Sequence, residues 1–123
     1  MATKKATTKK AIKAGASRSP SFVVIFILPN GKPHLVPAHV ALNGQVAWQA
    51  LIITNKYEIV LADPPEPFVS VPDPILTGPL GTAGPFKVDK NAAGYAWGYT
   101  IYQILPSGKR KRLRSGGSII VDA

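Results

Sequence analysis

The stretch YAWGYTIYQIL, residues 95–105, decides the fold class of this chain. Its large side chains recur at every second position, and these are Tyr95, Trp97, Tyr99 and Ile101. A period of two is that of a β-strand, in which alternate side chains share one face. The stretch therefore predicts a strand whose aromatic face packs into a core, and Tyr102 falls on the opposite face.

Other short segments on both sides of this strand are also predicted to form strands. They are FVVIFIL (22–28), QVAWQALII (45–53), YEIVL (57–61), FKVDK (86–90) and SIIVD (118–122). The run at 22–28 is continuously apolar, which predicts a strand covered on both faces. Two prolines in 33–44 favour an edge position there. The proline-rich connection 62–85 is expected to be irregular, with one short edge strand at 68–71. We predict an all-β protein, an antiparallel β-sandwich of about six or seven strands.

The positive charge of the chain is concentrated in two segments. The formal net charge is +9. The first 20 residues hold six cations and no acid: Lys4, Lys5, Lys9, Lys10, Lys13 and Arg18. The stretch GKRKRLRSGG, 108–117, holds five more: Lys109, Arg110, Lys111, Arg112 and Arg114. Because the rest of the chain carries four lysines against six acids, the body between the two segments is slightly acidic.

Residues 1–20 are built from Ala, Thr and Lys, with Ile12 as their single large aliphatic side chain. Such a segment buries too little apolar surface to offset the entropy lost on ordering. We therefore predict a disordered basic N-terminal arm over 1–20 and one β-sandwich domain over 21–123. In composition the arm resembles the Lys/Ala/Thr-rich tails of linker histones. A solubilising tail without a dedicated partner is the alternative.

Three stretches carry a resemblance to a known family: GQVAWQALIITNKYEIVLADP (44–64), KVDKNAAGYAWGYTIYQILPSG (87–108) and GGSIIVDA (116–123). Together they resemble the second half of a cupredoxin-like domain, and an immunoglobulin-like sandwich fits nearly as well. A cupredoxin implies copper held by Cys, two His and usually Met, most of them before the last strand. The loop 106–117 has none of these residue types, and the chain has no Cys. The resemblance thus implies a shared scaffold without copper, and we expect no cofactor.

The candidate catalytic and metal-binding residues are few. His34 and His39 are the only histidines, and two imidazoles without a nearby third ligand are insufficient for the usual protein metal sites. No G-x-S-x-G or phosphate-loop motif is present, so we expect no enzyme. The first 20 residues are too hydrophilic for a signal peptide, and the apolar run at 22–28 is too short to span a bilayer. We expect a cytoplasmic protein that does not enter a membrane.

The two basic segments suggest the function. Five cations in a hairpin loop repel one another, and a second cationic segment repeats the feature, so both favour a polyanionic partner. Tyr102 is a candidate for stacking on bases beside them. We predict a non-enzymatic module that binds nucleic acid or another polyanion with little regard to sequence. The alternative is a structural or assembly protein of a shell, capsid or scaffold that binds itself or a partner protein. A third hypothesis is a small-ligand or metal site at His34 and His39.

Overall fold

The computed structural model describes residues 19–62 and 67–122, with Arg114 described by its backbone only. The predicted arm therefore lies almost entirely outside the described residues. Within them the chain forms one short 3-10 turn, Lys90–Ala92, and β-strands. The strands are β1 Phe22–Ile27, β2 Ala38–Ala41, β3 Gln45–Ala50, β4 Lys56–Leu61, β5 Ile75–Leu76, β6 Thr82–Lys87, β7 Ala96–Ile104 and β8 Arg110–Asp122. The prediction of an all-β fold is confirmed.

The strands form two sheets. One has three strands in the order β1-β3-β6, and the other has five in the order β2-β8-β7-β4-β5. Most neighbouring strands are antiparallel, as predicted, but β1 runs parallel to β3 and β2 runs parallel to β8. Strands β1 and β2 lie in different sheets although they follow one another in sequence.

The core lies between the two sheets. Trp48 of β3 is fully buried, and its ring lies 5.4 Å from that of Tyr99 on β7, centroid to centroid. The predicted inward face of β7 is confirmed for Trp97, Tyr99 and Ile101, which are all buried. It is wrong for Tyr95, which lies just before the strand and is largely exposed. Truncating a buried aromatic side chain such as Trp48 to Ala typically costs about 3–5 kcal/mol. The core therefore fixes the two sheets against each other.

Strand β1 departs from its prediction. The sequence indicates a strand covered on both faces, yet Phe22 and Phe26 are 51% and 37% exposed. Their neighbours Val23, Ile25 and Ile27 are buried, so only one face of β1 meets the core. The prediction that β1 is covered on both faces is therefore wrong. No described element covers the outer face of the three-stranded sheet.

The proline-rich connection also differs in detail. The predicted edge strand at 68–71 is reduced to one isolated bridge, between Phe68 and Val88. A two-residue strand, Ile75–Leu76, pairs with β4 instead. Proline lacks the amide hydrogen that a ladder requires, which limits the pairing of most of this segment. Its last four residues are nevertheless part of β6, so the prediction of an irregular connection up to residue 85 is wrong there.

Candidate polyanion-binding surface

A tight turn joins β7 to β8 and leads into the basic run. The Leu105 amide donates to the Lys109 carbonyl at 2.8 Å, and the Gly108 amide donates to the Leu105 carbonyl at 2.8 Å. Gly108 has φ of 88°, the left-handed conformation that a three-residue hairpin loop requires at this position. The turn thus occupies only 106–108, and the basic run lies beyond it.

The prediction of a basic hairpin loop is therefore wrong in its placement. Strand β8 begins at Arg110, eight residues before the predicted strand SIIVD, so all but the first of the five cations lie on a strand. The ladder pairs Arg110 with Ile104 and Arg112 with Tyr102. Because side chains alternate along a strand, Arg110 and Arg112 share the outer face of the five-stranded sheet and Lys111 lies on the other face. The four described cations Lys109, Arg110, Lys111 and Arg112 are all exposed.

An irregularity in β8 anchors the run to the body. The register shifts between Ile101, which pairs with Ser115, and Tyr102, which pairs with Arg112, so Leu113 and Arg114 form a bulge. Leu113 packs on the core, and its Cδ1 would lie 2.5 Å from a Cβ atom at Gly31. The buried Ser115 hydroxyl donates to the Gly31 carbonyl at 2.7 Å. These contacts hold the basic end of β8 against the turn after β1.

One of the cations is already paired. Arg110 Nε lies 3.1 Å from Glu58 Oε1, and the Glu58 side chain is only 15% exposed. The Arg110 guanidinium carbon also lies 4.1 Å from the centroid of the Tyr102 ring. Each contact is worth about 1 kcal/mol or less at a surface. Arg110 is therefore partly neutralised by an acid 52 positions away that the local sequence did not reveal.

The remaining described cations of the run have no such partner. Among residues 19–62 and 67–122, no ion pair involves Lys109, Lys111 or Arg112. Lys56 pairs with Ile104 across β4 and β7, so it shares the outer face and the row of Arg110. Sequence reasoning missed Lys56 because only strand pairing brings it to the run. We refer to Lys56, Lys109, Lys111 and Arg112 as the basic end of the five-stranded sheet.

A shallow depression lies at this same end of the molecule. It has a volume of about 370 Å³ and is lined by Thr54–Lys56, Gln103–Pro106 and Gly108. Lys56 contributes to its wall, and Lys109 directly follows the lining residue Gly108. The basic end therefore combines cationic side chains with a concave surface.

The candidate stacking residue Tyr102 is half-buried, and the Arg110 guanidinium lies over its ring. Tyr95 is the more exposed aromatic, at 63%, but it lies just before the opposite end of β7 and makes an edge contact with Trp97. Of these rings, only that of Tyr102 is close to the cations. Its use as a stacking platform requires Arg110 to move aside.

Tyr99 belongs to the core and not to this surface. Burial raises the pKa of Tyr99 to about 12, and the neighbouring Trp48 indole partly offsets the effect. Neither the Tyr99 hydroxyl nor Trp48 Nε1 has a hydrogen-bond partner in good geometry among the described residues. The hydroxyl is therefore neutral at physiological pH.

The two histidines are engaged separately. His34 Nδ1 accepts a hydrogen bond from the Phe26 amide at 2.8 Å, whereas His39 Nδ1 lies 3.2 Å from Asp122 Oδ2. Within the described part of the chain, no group of three or more His, Cys, Asp or Glu side chains could hold a metal ion. The third hypothesis thus gains no support from the positions of His34 and His39.

The six cations of the arm, from Lys4 to Arg18, lie outside the described residues. Over the described ranges, the structure contains no helix of the length and apolarity needed to cross a membrane. In comparisons with known proteins, the chain matches no family model, no curated protein and no solved structure. The basic end must therefore be interpreted from its own chemistry.

Proposed function

We propose that this chain is a non-enzymatic β-sandwich that binds nucleic acid or another polyanion electrostatically. The observation that supports it is the set of exposed cations on the hairpin, Lys109, Lys111 and Arg112, without acidic partners among the described residues. Like charges held close together on a rigid strand repel one another, and phosphate groups relieve that repulsion.

Binding of this kind reads the backbone of the ligand and not its sequence. Phosphate contacts from Lys and Arg position a protein on nucleic acid but carry no base information. Tyr102 is the aromatic side chain nearest to the cations, and Arg110 lies over its ring. We therefore expect similar affinities for duplex and single-stranded ligands of equal charge density.

The arm extends the same function. Residue 18 directly precedes Ser19, which contacts Asp122 at the end of β8 opposite to Arg110. A chain of 18 residues reaches up to about 60 Å when extended, which exceeds the length of β8. We propose that the arm and the basic end contact the same polyanion, and that the arm adds affinity by tethering. The finer assignment of the scaffold as cupredoxin-like or immunoglobulin-like also stays a proposal, which depends on the quoted stretches.

The test is binding of generic duplex DNA, unstructured RNA and heparin by the full chain over a salt series. We expect affinity to fall steeply with salt, with a log–log slope of about −0.9 for each duplex phosphate contacted. A variant with the six arm cations changed to Gln should bind more weakly and with a smaller slope. Affinity that does not depend on salt, or no binding to any of the three ligands, would contradict the proposal.

A further inference from the structure

Two neighbouring turns at one end of the molecule expose a group of large apolar side chains. The turn 51–55 joins β3 to β4, and the turn 77–81 joins β5 to β6. Between them they carry four aliphatic side chains that are each more than a third exposed: Leu51, Ile52, Ile53 and Leu80. We refer to these four side chains as the apolar tip. Contiguous exposed apolar surface next to polar residues marks a contact with a protein or with a membrane.

The two turns are packed against each other. The Ala50 amide, at the start of the first turn, donates to the Gly81 carbonyl at 2.8 Å. A Cβ atom at Gly81 would lie 3.2 Å from Ile53 Cγ2, so the Ile53 side chain reaches the opposite turn. A shallow depression of about 430 Å³ is lined by residues 53–56 and 77–79 together. The apolar side chains of the two turns therefore belong to one surface.

The basic end of the five-stranded sheet borders the apolar tip. Lys56 directly follows the turn 51–55, and it is exposed. The depression of about 370 Å³ has Lys56 in one wall and Gly108 in another, and Lys109 follows Gly108 in sequence. Among the described residues neither lysine takes part in an ion pair. Apolar side chains and cations thus lie side by side at the same end of the molecule.

The acids of the described chain lie elsewhere or are already paired. Glu58 is paired with Arg110. Asp73 precedes β5, which runs antiparallel to β4, so it lies toward the last residue of β4. Asp89 caps the 3-10 turn before β7, and Asp122 ends β8, so both lie at the opposite end of that hairpin. Within the described ranges, a negative surface that approaches the apolar tip therefore meets lysines and no unpaired carboxylate.

We propose that the apolar tip and the basic end together bind the surface of a membrane that contains anionic lipids. The apolar side chains enter the boundary between headgroups and acyl chains, and the lysines beside them meet the lipid phosphates. This inference rests on the proposed function, because it names anionic lipid as a polyanion that the same cations bind. The contact needs no membrane-spanning segment, although it replaces the expectation that the chain does not enter a membrane.

The pairing of apolar side chains with lysines favours a membrane over a protein partner. Lysine is depleted in protein–protein interfaces, where its charge and its mobile side chain oppose burial. At an anionic membrane the same side chain stays in the headgroup layer, and its flexible stem lets the ammonium group reach phosphates. Reversible anchoring of a protein to a membrane takes two signals, an apolar one and a basic one. This end of the molecule supplies both.

The experiment is sedimentation of the full chain with vesicles of phosphatidylcholine alone and with vesicles that also contain phosphatidylserine. Binding of duplex DNA is measured in parallel. We expect binding to the anionic vesicles and little binding to the neutral ones. Leu51→Ser with Leu80→Ser should weaken binding to anionic vesicles by about tenfold or more and leave DNA affinity unchanged, because DNA offers no apolar layer.

Two further variants control for apolar surface and for charge. Val36→Ser with Val69→Ser alters two exposed apolar side chains on other loops, and it should bind vesicles as the unaltered chain does. Lys56→Gln with Lys109→Gln removes two cations beside the tip. It should weaken vesicle binding by about 30-fold, and it should weaken DNA binding as well.

Leu80→Trp reports directly on entry of the tip into the membrane. Leu80 is 74% exposed, whereas both natural tryptophans are buried. On addition of anionic vesicles, the fluorescence of this variant should shift to shorter wavelength, because the new ring leaves water. Val69→Trp places the same probe on another loop and should show no shift.

The outcomes separate this inference from the proposed function. Binding to DNA without binding to anionic vesicles would overturn the membrane contact and leave the proposed function in place. The membrane contact would also be wrong if Leu51→Ser with Leu80→Ser left vesicle binding unchanged, or if Leu80→Trp showed no shift. A chain that bound neither DNA nor anionic vesicles would contradict both.

Discussion

Glu58 controls how much of the positive charge on β8 is available to a ligand. Its carboxylate lies against Arg110, which in turn covers Tyr102. Of the two arginines on this face, we therefore expect Arg112 to contribute to polyanion binding and Arg110 to contribute little. We therefore propose a structural role for Arg110 and a binding role for Arg112.

Glu58→Gln should strengthen polyanion binding. The change releases Arg110 and adds one positive charge to the face, so the salt slope for duplex DNA should steepen by about 0.9. Stability should fall by about 1 kcal/mol or less, as is usual when a surface ion pair is broken. Arg112→Gln and Arg110→Gln are the comparison pair, measured by the same titration. If Arg110→Gln weakens binding as much as Arg112→Gln does, the assigned role of Glu58 is incorrect.

Because the pKa of the buried Tyr99 hydroxyl is raised, we expect the folded chain to lose stability at alkaline pH. Its pKa is raised to about 12 in the folded chain, above the value of about 10 in an unfolded one. The unfolded state therefore releases the proton first, and the stabilisation present below pH 10 is lost as the pH rises toward 12. By linkage the loss amounts to about 2–3 kcal/mol.

The measurement is denaturant unfolding at pH 9 and pH 11.5 for the unaltered chain and for Tyr99→Phe. We expect the variant to lose less stability between the two pH values. At pH 9 it should be as stable as the unaltered chain or slightly more so, because it removes a buried hydroxyl without a partner. Equal pH dependence in the two proteins would show that Tyr99 does not determine it.

At the scale of elements, β7 was predictable and the start of β8 was not. Alternation of large and small side chains is a local signal, and it identified the buried face of β7 from the sequence alone. The basic run has no such alternation, since four consecutive cations occupy both faces. Its strand structure comes from pairing with β7 and from the anchoring of Leu113 and Ser115 at Gly31. Contacts between residues far apart in the sequence produce no local pattern from which a strand could be predicted.

The exposure of one face of β1 also could not be predicted from the sequence. A run such as FVVIFI is equally compatible with a strand inside a sheet stack and with an edge strand that has one bare face. Only the assembly of a three-stranded sheet, with no described element over its outer face, distinguishes the two. The same limit applies to Lys56, which strand pairing alone brings to the basic end.

The glycines that follow the bulge in β8 allow a close approach of strands. A Cβ atom at Gly116 would lie 2.2 Å from the Tyr99 carbonyl oxygen, a backbone atom that cannot move without breaking the ladder. Gly116→Ala should therefore destabilise the fold by about 3 kcal/mol. Gly78→Ala is the control, because its Cβ would meet only the Thr82 carbonyl oxygen at 3.7 Å. Thermal unfolding that is equal for both variants would contradict the placement of β8.

The excess positive charge of the molecule lies in the arm and the basic run and not in the rest of the chain. The cations of the arm and of the basic run account for the excess, and the remaining residues carry more acids than lysines. Such a distribution predicts that the location of a cation, and not the net charge of the chain, determines its effect on polyanion binding.

Two variants with the same change in net charge test this claim most directly. In one, Lys109, Lys111 and Arg112 are changed to Gln, and in the other Lys32, Lys87 and Lys90, three exposed lysines elsewhere on the body. Binding of a generic DNA duplex is measured over a salt series. The first variant should bind more weakly, with a salt slope reduced by about 2.7, while the second should keep most of the affinity and slope of the unaltered chain. Equal losses in the two variants would show that the chain binds through its overall charge and has no surface for polyanions.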